Sequence, residues 1–108
     1  MNKRYSVNIF ESAKQDVLDI QDYWENVLFH SAEQFIRKFY DEVEKLEFFP
    51  FSHPICQIPP LKEQGYRSFT VDNYYVFYIV ESEEVQIHRV LYAGREISRQ
   101  FTNNNNNN

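Results

Sequence analysis

The chain has 108 residues, 43% apolar and 18% aromatic, enough for one core and too few for two ordinary domains. Two glycines exclude collagen-like and Gly-rich phosphate-loop readings, and no apolar run approaches the ~18 residues of a membrane span. The net charge of −5 is uneven: residues 11–47 hold ten acids against four bases, whereas residues 61–101 hold six against five.

A polyanion-binding protein ordinarily shows a basic surplus, so any nucleic-acid role would need a local patch of C-terminal arginines. Lys3 and Arg4 have no apolar stretch behind them, unlike a signal peptide. The lone Cys56 has no internal disulfide partner, which suits a reducing, cytoplasmic location.

In chain order, residues 5–10 alternate apolar and polar as a half-buried strand does. Ser12, with Gln15 at capping-box spacing, predicts a helix over 12–28. Its apolar stripe is Ala13, Val17, Ile20, Trp24, Val27 and Leu28, and Asp16, Asp19, Asp22 and Glu25 fall off it as a solvated face. Ser31 and Gln34 repeat the start signal for a second helix over 31–48, ended by Pro50. About three connecting residues would fold the pair into an antiparallel hairpin.

Residues 51–64, with Pro54, Pro59 and Pro60, read as a crossing loop. Strands are predicted at 66–71, 74–80 and 85–92, the first two joined by an Asp72-Asn73 turn. The middle strand is apolar on both faces, as a central strand is. A helical hairpin covers only one face of a sheet, so the other must curve, be covered by the C-terminus, or await a partner. The expectation is an α+β domain of order βααβββ over residues 1–102, a helical hairpin on an antiparallel sheet. The asparagine run 103–108 is left outside the fold.

Few residue groups point to chemistry. His53 and Cys56 have ligand-like spacing, but a structural metal site needs four ligands and no second pair exists, so no metal or cofactor is expected. Cys56 lacks a nucleophile motif, and no G-x-S-x-G is present. The final strand is more informative. Strict alternation places Arg89 among Val85, Ile87 and Leu91, so either the strand bulges or a carboxylate holds the guanidinium. Arg67, Arg89 and Arg95 converging on one sheet surface would suit phosphate or carboxylate recognition; the competing reading is three separate structural ion pairs.

Ala13–Ile20, Phe48-Phe49-Pro50, Gly65–Phe69, Tyr74–Tyr78 and Arg89–Glu96 together resemble the ParE/RelE superfamily of toxins from bacterial type II toxin–antitoxin modules, also called plasmid stabilisation proteins. The match spans most of residues 5–97 in order, and the family fold agrees with βααβββ. RelE-like members are ribosome-dependent mRNA endonucleases; ParE-like members poison DNA gyrase, with no catalysis of their own established.

The ParE branch is favoured on three grounds. Tyr75 stands where the nucleases carry a catalytic arginine, Phe101 stands near their C-terminal tyrosine and lacks its hydroxyl, and the acidic chain suits ribosomal RNA poorly. The resemblance implies growth arrest through gyrase, a cognate antitoxin as first partner, contact with operator DNA only through that antitoxin, and no membrane role. Arg67, Arg89, Arg95 and Glu96 are the target-contact candidates, and arginine-to-alanine changes at 67, 89 and 95 are expected to abolish toxicity with the fold intact. On the nuclease alternative, Arg67, Arg89 and Arg95 would clamp the scissile phosphate and His88 would move the proton. A non-toxic interaction module is the third reading.

Overall fold

The alternating residues near the start and the three later apolar runs become four strands in a computed structural model, which describes residues 3–105 and side chains as far as residue 101. The order is β1 (Ser6–Ile9), α1 (Glu11–Asn26), α2 (Glu33–Lys45), β2 (Arg67–Val71), β3 (Tyr74–Glu81), β4 (Glu84–Tyr92) and α3 (Ile97–Asn105). The strands lie in the order β1-β4-β3-β2. The last three are antiparallel, as expected, but β1 joins β4 in parallel, from Ser6 opposite Glu84 to Ile9 opposite Ile87. The sheet is therefore mixed. A period-two pattern says which face a strand buries, but not in which direction it joins its neighbour.

The start of α1 differs from expectation. Phe10 is the extended residue before it, with no side-chain cap. Ser12 instead donates its hydroxyl hydrogen to the His88 carbonyl at 2.6 Å, and Gln15 bonds to Asp19 at 2.8 Å. At α2 the signal is partly realised: the Glu33 N–H donates to Ser31 Oγ at 3.2 Å. Residues 27–32 connect the helices, a longer link than expected, turning at Phe29 with φ of 55°.

Two cores result. Ala13, Val17 and Ile20 of α1 and Phe35, Phe39 and Val43 of α2 pack on one sheet face, against Phe69, Val76, Tyr78, Val85 and Val90. On the other face, Phe77 and Leu91 pack with Cys56, Leu61 and Tyr66 from the crossing loop and its end, and with Ile97 and Phe101 of α3. Of the three ways to deal with that second face, the chain uses its own C-terminus. The sequence reading had no helix there. α3 extends to Asn105, into the asparagine run, and residues 106–108 lie outside the described residues.

Candidate functional site

The geometry of the site begins with a slip in β4. Phe77 pairs with Arg89 and Tyr78 with Ile87, so His88 is an extra residue, a β-bulge. The bulge reverses the side-chain parity. Val85, Ile87 and Val90 therefore all enter the helix-covered core, and Leu91 enters the other. β1 ends at Ile9, and the following edge of β4 has no strand partner among the described residues. Side chains of α1 take its place: Ser12 serves the His88 carbonyl, and Asp16 Oδ2 accepts the Val90 N–H at 2.9 Å.

Asp16 is not on a solvated face; it is 8% exposed and Arg89 is 4% exposed. Arg89 Nε donates to Asp16 Oδ2 at 2.7 Å and Nη2 to Oδ1 at 3.0 Å, a bidentate pair. Nη1 of Arg89 reaches the carbonyls of Gln100 and Phe101, both at 3.4 Å, tying α1, β4 and α3 together. Burial pushes the Asp16 carboxyl above its ordinary value, and hydrogen bonds from Arg89 and Val90 pull it back. Both features posed as alternatives for Arg89, a bulge and a carboxylate partner, are present. The carboxylate comes from a helix 73 positions away, which no local pattern announces.

His88 has the partner that the sequence did not reveal. Its Nδ1 lies 2.7 Å from the Tyr66 hydroxyl and its Nε2 lies 3.1 Å from Gln86 Oε1. The amide oxygen can only accept, which assigns the proton to Nε2 and makes Nδ1 the acceptor for Tyr66. The ring stacks on Phe10, with centroids 4.3 Å apart. Burial depresses the His88 pKa, outweighing the attraction of Glu81, and burial raises that of Tyr66.

The three arginines do not share a surface. Arg67 is opposite Tyr78, which belongs to the helix-covered core, whereas Arg89 is opposite Phe77, which belongs to the second core. Their side chains leave opposite faces of the sheet. Arg67 Nη1 donates to the His53 carbonyl at 2.7 Å and its guanidinium lies 5.0 Å from the Phe51 ring centre. His53 stacks on Phe69, and the Cys56 backbone N–H donates to the Tyr66 carbonyl. Arg95 is exposed in the turn before α3, and Glu96 beside it is exposed within 3.9 Å of Arg99.

Arg89 and Arg95 do meet in one place, a groove of about 690 Å³ between α1 and the ends of β3 and β4. Trp24, Tyr74 and Tyr92 line it, with Leu28 at the helix end and Asp16 and Asp19 on the helical wall. Trp24 Nε1–H donates to the Tyr74 hydroxyl at 3.0 Å, fixing the two walls to each other. Gly94 lets the Tyr92 ring lie close, since a Cβ there would fall 2.5 Å from that ring. Sequence reasoning missed this groove, although Trp24 and Leu28 were read into an apolar stripe and Tyr74 into an apolar central strand.

Residues 7–97 match the family model described as the ParE toxin of the type II toxin–antitoxin system parDE. The chain belongs to the ParE toxin family. A solved structure of the chromosomal ParDE TA system from P. aeruginosa is similar in fold to this ParE-family chain, with a TM-score of 0.58 at 18% identity over 83% of this chain and 97% of that one. No curated protein matches the chain. The ParE-like expectation from the sequence is thus upheld at the level of family and fold.

Proposed function

We propose that this toxin arrests growth by poisoning DNA gyrase in the cytoplasm, without catalysis of its own, and that a cognate antitoxin neutralises it and carries the module's contact with operator DNA. Family membership supports the toxin role. The neighbour's ParDE assignment supports an antitoxin partner. No helix among the described residues is long and apolar enough to cross a membrane.

The observation that favours gyrase over mRNA cleavage is the Asp16–Arg89 pair. A nuclease needs cations free to stabilise charge on phosphate and a proton-transfer group within its reach. Here Arg89 is neutralised in the core, Arg67 is on the other face, and Phe101 is buried against Tyr66 and Phe77 with no hydroxyl to offer. The Tyr66–His88 pair resembles an acid/base couple, but Tyr66 is only 7% exposed, so a bound strand has little access to it. Arg95 and Glu96 at the exposed turn, and Arg67 at the opposite edge, are the proposed target contacts.

The deciding experiment titrates the purified chain into a supercoiling reaction with gyrase from the source organism, scoring lost supercoiling and trapped cleaved DNA. Inhibition reversed by the antitoxin is the expected result. No inhibition, with ribosome-dependent mRNA cutting instead, would overturn it. Absence of any growth arrest on expression without the antitoxin would point to a non-toxic interaction module.

A further inference from the structure

We propose that this chain pairs with a second copy of itself across a two-fold axis, each copy seating Phe29 in the other's groove between α1 and the β3–β4 ends. This goes beyond the toxin reading and does not depend on it. The starting observation is Phe29 itself. It is 84% exposed, and its φ of 55° lies in the left-handed region, where a bulky side chain is an outlier and glycine the ordinary choice. The turn is nevertheless fixed. The His30 N–H donates to the Trp24 carbonyl at 2.8 Å, and the Leu28 N–H to the Tyr23 carbonyl at 3.1 Å. The folded monomer gains neither burial nor backbone ease from a phenyl ring at this place. A strained, exposed aromatic held in one position is the form of an anchor that another molecule buries.

The groove supplies a matching pocket, and its position selects a second copy. Its 690 Å³ between Trp24, Tyr74 and Tyr92 takes one or two large side chains, and Leu28 both lines it and precedes Phe29. Because anchor and pocket adjoin on one surface, a two-fold rotation seats both rings at once and closes the pair. On opposite sides of the molecule, the same contact would grow into a filament. The charges agree with this arrangement. Arg95 on the groove wall has no side-chain hydrogen bond or ion pair among the described residues. Asp19 and Asp22 accept only the Gln15 and Asn26 amides among those residues, and the last turn of α1 holds no base. The rotation that exchanges the rings turns the acidic margin of each α1 toward the other copy's Arg95. Opposite charges then meet, although each chain carries −5. Such a pair covers Arg95, so its proposed contact with the target is open only in the dissociated chain.

The test is sedimentation velocity of the purified full chain over a concentration series, for wild type, Phe29→Gly, Arg95→Glu and the remote control Lys45→Glu, which alters a pair at the far end of α2. Wild type and Lys45→Glu should show the same monomer–dimer equilibrium. Phe29→Gly and Arg95→Glu should each weaken it by about tenfold or more. At a concentration where wild type is monomeric, Phe29→Gly should hold or raise the melting temperature, because glycine accepts the left-handed backbone. Mixing the two variants should recover part of the association, since the Arg95→Glu chain still offers Phe29 to the intact groove of the Phe29→Gly chain. If Phe29→Gly does not fold, Phe29→Asn, which also tolerates that backbone, carries the same expectation.

A wild-type chain that stays monomeric throughout the series overturns the pairing and leaves the toxin reading intact. Unchanged dimerisation in either variant, no recovery on mixing, or growth beyond two copies each overturns the reciprocal seating. A monomeric chain whose Phe29→Gly variant loses gyrase inhibition or antitoxin affinity would assign the ring to that partner and not to a second copy.

Discussion

At the scale of single residues, the consequential pair is Asp16 with Arg89. Replacing both by apolar side chains of similar size need not destabilise such a pair, but removing one partner strands a buried charge. Asp16→Ala should therefore cost about 3–5 kcal/mol in chemical denaturation, and Arg89→Ala a similar amount. This revises the sequence expectation that Arg89→Ala would spare the fold; loss of toxicity in that variant would report unfolding. Arg95 is exposed and has no such side-chain interaction among the described residues, so Arg95→Ala should leave the melting temperature unchanged and a loss of toxicity there would report contact with the target.

His88 supplies a pH dependence. Burial holds its folded-state pKa below the ordinary 6.5, so between those values the unfolded chain binds more protons than the folded one. Stability should fall as pH drops through about 6.5, a trend that His53, also depressed by burial, reinforces. His88→Gln should flatten the slope of unfolding free energy between pH 7.5 and 5.5, measured by denaturant titration; an unaltered slope would remove His88 from the account.

At the scale of elements, α3 and the bulge in β4 carry the unexpected weight. Phe101 is 4% exposed, with its ring 5.0 Å from Tyr66 and 5.7 Å from Phe77. Phe101→Ala should cost about 3–5 kcal/mol as a large-to-small core change, and removal of α3 should uncover the second core and produce dye binding and aggregation. The sequence reading treated Phe101 only as a residue without a hydroxyl. Ile97 and Phe101, one helical turn apart, were the available signal for α3, and two apolar positions beside an asparagine run are too few to establish a helical period. The bulge was legible only as a question, posed by a guanidinium in an aliphatic row. Its position at His88 depends on how β3 and β4 align, which neither strand encodes alone.

At the scale of the whole molecule, charge decides what the toxin meets. Most cations of the described residues sit against carboxylates, and the chain is net acidic, so random duplex DNA should not be retained at physiological salt in a mobility-shift assay. Tight salt-sensitive binding would contradict the view that operator contact comes through the antitoxin. The aromatic groove and the apolar residues 27–29 after α1 are open to solvent, and any protein partner that binds the folded chain should raise its stability by mass action.

Although Val27 and Leu28 of the expected stripe lie beyond α1 and are exposed, local pattern was enough for the order of elements as far as β4, the antiparallel β2–β3–β4 run, the inward positions Ala13, Val17 and Ile20 of α1, and the family. These follow from local periodicity, turn residues and short motifs, each contained within a few positions of chain. The parallel joining of β1, the parity reversal at His88, the burial of Asp16 with Arg89 and the separation of Arg67 from both other arginines emerge only in the folded molecule. Each of these rests on strand register or on contact between residues far apart in sequence. A side chain at the margin of an apolar stripe is solvated or buried according to what the rest of the fold brings to it. For Asp16, that was the uncovered edge of β4.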